Sequence, residues 1–192
     1  MAIRGRRFRP GRAAPRLLAL LAGLALLYAA WHGAYALYPF PYRAAVQGAA
    51  AAGGIDPRLV LALMRVESKF GAQAVSRDGA IGLMQVTPPT GAWIAAQRGG
   101  AFSPGALRDP AYNIAAGTWY LAYLRGTFDG RITPAIAAYN AGARPVQAWI
   151  ASGAWDATLS GASSIPYPET RLFVQRVLGT YAVYRLLYPG RG

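Results

Sequence analysis

Five times in this chain a residue that caps helices stands directly before a proline: Asp56-Pro57, Thr87-Pro88, Ser103-Pro104, Asp109-Pro110 and Thr133-Pro134. A short polar side chain accepts backbone N–H groups that a first helical turn leaves unpaired. Proline suits the next position, where its missing N–H is no loss. Glycines fall between these starts, at Gly53-Gly54, Gly99-Gly100, Gly126 and Gly142, and read as helix stops. The intervening stretches carry helical spacing. "DPAYNIAAGTWYLAYLRG" repeats apolar residues at Ile114, Tyr120 or Leu121, and Leu124, and "PETRLFVQRVLGTYAVYRLLYP" does so at Leu172, Phe173, Val177, Tyr181, Tyr184 and Leu187. "SRDGAIGLMQV" holds too much glycine for a helix and too little alternation for a hairpin, so it is expected to be an ordered loop. The punctuation implies an all-α domain of about seven helices.

A different segment precedes it. Residues 1–16 hold six arginines and no acid, and a run without charge follows from Leu17 through Leu37, 21 residues in all. Basic residues before a stretch long enough to span a bilayer are the layout of an export signal or an N-terminal membrane anchor. The arginines would stay in the cytoplasm and the C-terminal domain would lie outside. "AYA" at 34–36 has the small-x-small form of a cleavage site, but it comes late in a long run, which favours a retained anchor. No cysteine follows, so a lipoprotein anchor is not expected. The reading is a basic region (1–16), an anchor or signal (17–37), a stiff proline-bearing linker (38–43), a folded domain (44–188) and a short tail (189–192).

Composition narrows the chemistry. The formal charge is +13, from 20 basic and 7 acidic side chains. That balance fits an anionic surface or polymer such as phospholipid, bacterial wall or nucleic acid. Beyond residue 16 the arginines are scattered and no recognition motif occurs, so nucleic acid is not the expected partner. There is no cysteine, and the single histidine, His32, lies in the apolar segment. A thiolate nucleophile, a Ser-His triad and a Cys- or His-ligated metal are thereby excluded from the folded domain, and neither metal nor cofactor is expected. Proton transfer falls to Asp, Glu, Tyr or Arg.

Only two glutamates exist, Glu67 and Glu169. Leu59, Leu63 and Glu67 recur four apart, so on the helix starting at Pro57 the carboxyl follows the leucine stripe. Burial and the negative end of the helix dipole both disfavour its charge and push its pKa toward that of a general acid at neutral pH. A helix-end carboxylate paired with Arg65 or Lys69 is the bland alternative.

The ordered set "RVESKFGAQAVSRDGAIGLMQVTPPTG", "DPAYNIAAGTWYLAYL", "AIAAYNAG" and "IPYPETRLFVQRV" resembles the lytic transglycosylases of the soluble-transglycosylase catalytic type. These are bacterial wall enzymes with a lysozyme-like fold, and the match runs from about Ala44 to about Tyr188. The resemblance implies that Glu67 is the catalytic acid and base. It implies that Ser68 and the amide of Gln85 serve the substrate, with Gly82 to Met84 shaping the loop. Tyr139 and Asn140 match cleft positions, and Glu169 matches a second glutamate that helps hold the sugar. Thr87 stands where that family often has methionine. The expected activity is non-hydrolytic cleavage of the MurNAc-GlcNAc bond of peptidoglycan outside the cytoplasmic membrane, by a monomer.

Physical chemistry allows that assignment with one acid. Ordinary glycosidases flank the bond with two carboxylates. Asp56 and Asp109 read here as caps, and Asp129 and Asp156 as turn residues. Asp78 in the glycine loop is the one plausible second carboxylate. A substrate that supplies its own nucleophile needs only Glu67. A hydrolytic muramidase with Asp78 positioning water, and a non-catalytic wall-binding module, are the competing readings. Each remaining residue has a plainer role open to it. Ser68 could be a local hydrogen-bonder, Tyr139 a turn residue and Glu169 a charge favoured by a helix N-terminus. Trp93, Tyr112, Trp119 and Tyr120 could stack on sugar rings or fill the core.

Overall fold

The structure, a computed structural model, describes residues 13–190. The arginine-rich stretch before Ala13 and the last two residues lie outside the described residues. The chain forms two compact units, divided between Pro39 and Phe40.

The first unit is one helix, α1 (Ala13–Leu37), whose stretch Leu17–Leu37 is long and apolar enough to cross a membrane. Its leucines, Leu18, Leu26 and Leu27 among them, are exposed rather than folded into a core. A helix apolar on every side has no polar face to turn toward water.

The second unit holds α2 (Arg43–Gly53), α3 (Pro57–Ser68), α4 (Pro88–Gln97), α5 (Pro110–Thr127), α6 (Ile132–Ala141), α7 (Ala143–Ala151) and α8 (Pro168–Leu187). Short 3-10 turns occupy Pro104–Arg108 and Ser160–Ser164. Extended pairing among the described residues is limited to two isolated bridges in the 75–86 loop, Val75 with Ile81 and Ile81 with Val86. The all-α architecture expected from the sequence is the one found, and the glycine-rich stretch is an ordered loop.

Most of the cap-proline signals act as read. Asp56 accepts from Arg58 N–H at 2.9 Å, Thr87 from Thr90 N–H at 3.3 Å and Asp109 from Tyr112 N–H at 2.7 Å. Ser103 opens a 3-10 turn with no side-chain cap. Thr133 proves to be inside α6, which starts a residue earlier at Ile132. Proline tolerates any first-turn position whose N–H would go unpaired, so Thr133-Pro134 marks the helix but not its boundary. Gly126 likewise does not stop α5, which runs on to Thr127. The chain turns instead at Asp129 and Gly130, both at positive φ.

α3 packs on α8 and on α2, while α6 contacts α5, α7 and α8. Leu59 through Met64 are all buried, so the helix is covered on every side and not only along its leucine stripe. Each such leucine contributes roughly 1.5–3 kcal/mol by leaving water. The helix start is fixed by charge as well as capping. Arg58 and Asp56 form an ion pair at 2.6 Å, and Tyr181 of α8 donates to Asp56 Oδ2 at 2.8 Å. Burial alone would raise the Asp56 pKa, but the bonds from Arg58 and Tyr181 hold it below the ordinary value.

Asp56→Ala removes the cap and the bridge to α8 together, and should lower unfolding stability by about 2 kcal/mol in urea denaturation at pH 7. A depressed folded pKa gives stability that is lost as pH falls through it, so the gap to wild type should narrow in acid.

Candidate active site

Glu67 is the last but one residue of α3, where the helix leaves the core. Its side chain is half-buried and joins no ion pair among the described residues, so the pairing with Arg65 or Lys69 does not occur. Burial pushes the carboxyl up to about 8, and the charge of Glu169 adds to the effect. The sequence reading foresaw the burial but not the second carboxyl. Both causes favour the protonated form.

The loop after α3 supplies the opposite wall. Ile81 and Val86 exchange backbone hydrogen bonds at 3.0 and 3.1 Å, closing a tight turn over residues 82–85. Gly82 has φ +79, and a Cβ there would fall 2.5 Å from Asn113 Nδ2 and 2.6 Å from the Leu107 carbonyl. Only glycine fits this position. Gln85, with φ 49, is also left-handed, a conformation that costs a side-chain-bearing residue about 1 kcal/mol and persists where the surroundings hold it. Its amide NH2 donates to the carbonyls of Gly82 (2.9 Å) and Ala74 (3.3 Å), leaving Oε1 for the cleft.

A buried asparagine that the sequence reading passed over anchors this turn. Asn113 of α5 is fully buried. Its Nδ2 donates to the carbonyls of Ile81 (2.8 Å) and Leu107 (2.9 Å), and its Oδ1 accepts from Met84 N–H (2.8 Å). The signal was present as a lone amide in the apolar run "YNIAAG", where an unpaired amide would be costly. Two further bonds grip the same turn: Tyr139 donates to the Met84 carbonyl at 2.9 Å and Ser68 to the Leu83 carbonyl at 2.8 Å. At Gly117 a Cβ would meet Met84 Cβ at 2.6 Å and the Tyr139 hydroxyl at 2.9 Å, so α5 approaches the turn closely only because that residue is glycine.

These elements enclose a cleft of about 680 Å³ lined by Glu67, Asp78, Gln85, Tyr139, Asn140 and Glu169 with neighbouring residues. Five of the six candidate residues therefore share one space, and the sixth, Ser68, stands behind its wall as a positioning group. Asn140 is exposed and its Oδ1 accepts from Thr170 at 2.7 Å, which ties the end of α6 to the first turn of α8 beside Glu169. Burial raises the Tyr139 phenol well above its ordinary pKa, helped by the charges of Glu67 and Tyr120, so it remains a neutral donor. Thr87 lines the cleft while capping α4. Tyr167, which the sequence reading did not single out, lines it from the α8 side with its ring 4.9 Å from Trp149.

A smaller space lined by Gln85, Tyr139, Thr90 and Tyr120 shares lining residues with the cleft and with an aromatic cavity of about 320 Å³. Trp93, Tyr120 and Tyr123 line the latter, with the Trp93 and Tyr123 rings 4.8 Å apart. Trp93 and Tyr120 are half-buried rather than core-filling, and Tyr123 was not among the aromatics expected to matter.

A helical, lysozyme-like domain with a neutral carboxyl facing a polar cleft is the class that fold and site define. The chain belongs to the family described as the transglycosylase SLT domain, which matches residues 44–159. The chain is 38% identical over 135 residues to the soluble lytic murein transglycosylase of Escherichia coli K12, covering 68% of this chain and 21% of that protein. It is 46% identical over 103 residues to the membrane-bound lytic murein transglycosylase C of Actinobacillus pleuropneumoniae, covering 48% of this chain and 28% of that one. The crystal structure of the 70 kDa soluble lytic transglycosylase of Escherichia coli superposes with a TM-score of 0.78 at 32% identity, over 84% of this chain and 26% of that one. The chain thus spans only about a fifth to three-tenths of the length of these relatives.

Asn113→Ala takes the side-chain partner from the Met84 N–H and the Leu107 carbonyl and leaves the Ile81 carbonyl with only its bond from Val86. It is expected to cost about 3 kcal/mol and to speed amide exchange at Met84 and Gln85 selectively, as read by hydrogen–deuterium exchange. Glu67 carries the reverse relation to Asp56: stability from its neutral form is complete below the unfolded value of 4.5 and is lost as pH rises through about 8. Glu67→Gln lacks this dependence, so its denaturation midpoint should exceed that of wild type above pH 8 and approach it in acid.

Proposed function

We propose that this chain is a lytic transglycosylase that cleaves the β-1,4 bond between MurNAc and GlcNAc in peptidoglycan without consuming water. The observation that carries the reading is Glu67, a carboxyl raised to about 8 and facing a cleft of oligosaccharide size. A group protonated at neutral pH can give its proton to the glycosidic oxygen as the bond to the anomeric carbon breaks. The resulting carboxylate then takes the proton of the muramoyl 6-hydroxyl, whose oxygen closes on the anomeric carbon to form the 1,6-anhydro end. The N-acetyl group stabilises the oxocarbenium-like intermediate between these steps. Gln85, Tyr139, Asn140 and Glu169 hold the sugars around the bond, Ser68 fixes the loop, and no metal or cofactor enters.

Membership of the family and the names of the relatives support the substrate and reaction class. The exposed apolar helix α1 supports attachment to the cytoplasmic membrane, with the domain on its extracytoplasmic face. In this reading residues 17–37 are the anchor, 38–43 the linker and 44–188 the catalytic domain, acting as a monomer. One observation favours a second reading: Asp78 lines the same cleft, where it could position a water for hydrolysis.

Mass spectrometry of digested wall separates the two, since an anhydro end is one water lighter than a hydrolysed one. We expect anhydro ends, and their absence from a digest that releases glycan would overturn the non-hydrolytic mechanism. Glu67→Gln should abolish release while leaving wall binding intact. The proton donor must be protonated, so kcat/KM should fall as pH rises through about 8. Glu169→Gln removes the like charge, so this basic limb should move to lower pH.

A further inference from the structure

The helical domain begins at an aromatic and basic cluster that the proposed reaction does not use. Phe40 packs edge-on against Tyr188 with ring centroids 5.5 Å apart, and Arg58 Nη1 donates to the Tyr188 carbonyl at 3.2 Å. These contacts hold the C-terminal end of α8 against the residues that lead into α2. Arg43, the first residue of α2, lies over the Phe40 ring at 4.2 Å. Arg185, in the last turn of α8, lies 5.7 Å from the Tyr181 ring centre.

Leu186 is 73% exposed, more than any other large apolar side chain among the described residues. Tyr42 is exposed as well, and opens α2 from the left-handed region at φ 51, which side-chain-bearing residues seldom adopt. Arg43 and Arg185 are exposed and join no ion pair among the described residues. Asp56, the acid held at this end, is taken up by Arg58 and Tyr181. A leucine and a tyrosine facing water between two such arginines suit a bilayer surface. The leucine enters between headgroups, the tyrosine bridges the apolar and wet layers, and the guanidinium groups meet phosphate.

A single exposed leucine is ordinary, but the length of chain before this one is not. Only Tyr38 and Pro39 separate Leu37 from Phe40. In any orientation of the two units, a chain whose residues 17–37 span a membrane therefore holds Phe40 within about 11 Å of the end of that span.

We propose that Tyr42, Arg43, Arg185 and Leu186 form a surface that docks on anionic phospholipid at the extracytoplasmic face of the membrane. The proposal rests on the reading of residues 17–37 as an anchor. Glu169 and Leu186 stand at opposite ends of α8, about 25 Å apart at 1.5 Å per residue, so a docked domain keeps its cleft at the end remote from lipid.

The chain has no cysteine, so one introduced thiol carries a spin label at a single place. The full chain is reconstituted in nanodiscs of equal phosphatidylglycerol and phosphatidylcholine, with the label at Pro189→Cys beside the surface. Gln175→Cys, at an exposed position nearer the other end of α8, is the reference. The Pro189 label should be at least fivefold less accessible to a water-soluble nickel relaxant than the Gln175 label. Each arginine near an anionic surface favours docking about fivefold, so Arg43→Gln/Arg185→Gln should lower the docked-to-free ratio about 25-fold. Phosphatidylcholine alone, and Leu186→Gln, should likewise remove the protection. Equal access at the two labels in anionic discs, or protection that survives in neutral lipid or in either variant, overturns the surface. A third label, at Leu27→Cys, tests the anchor itself. If it reads hydrocarbon while Pro189 reads water, docking alone fails; if it reads water, the anchor fails and the surface falls with it.

Discussion

A half-buried carboxyl with no cation paired to it among the described residues is the constraint around which this domain is arranged. Charge in such a place is disfavoured, and proteins ordinarily avoid the situation or pair the group. The same helix shows both solutions. At its start Asp56 is paired with Arg58 and bonded by Tyr181, and its pKa goes down. At its end Glu67 has burial and a second carboxyl beside it, and its pKa goes up. Eleven positions along α3 separate a carboxylate that secures the fold from a carboxylic acid that carries a transferable proton.

Holding an acid in this state requires a wall that does not relax around it. The turn at residues 82–85 is strained at Gln85 and accessible to Gly82 only because that residue lacks a side chain. Left to itself such a turn would open. Asn113 grips both edges of it, while Ser68 and Tyr139 hold the carbonyls of Leu83 and Met84. Each of these groups comes from a different helix or helix end, so the turn reads out the packing of α3, α5 and α6 together. The strain is tolerable because those contacts over-determine the backbone.

Much of this was legible in the residues. Local capping chemistry marked the starts of α3, α4 and α5, because the side chain and the N–H it satisfies lie within three residues of each other. The same rule misplaced the start of α6 and the end of α5, where Pro134 and Gly126 are tolerated within the helix rather than bounding it. Among the site residues, Glu67, Gln85, Tyr139, Asn140 and Glu169 were marked by the motif resemblance and line one cleft. Asn113 escaped notice because its role consists of three partners, two of them about 30 residues away.

The sequence by itself determined the class of chemistry and the helical frame. Lacking cysteine, with its one histidine in the apolar segment, the chain left carboxyls as the credible proton carriers, and its caps and prolines admitted helices rather than sheet. Composition and short-range hydrogen bonding are properties of the chain before it folds. Only the tertiary structure decided which carboxyl is neutral and why, because desolvation and the field of Glu169 depend on distance through space. Packing α3 against α8 brings the two glutamates of the chain to one cleft.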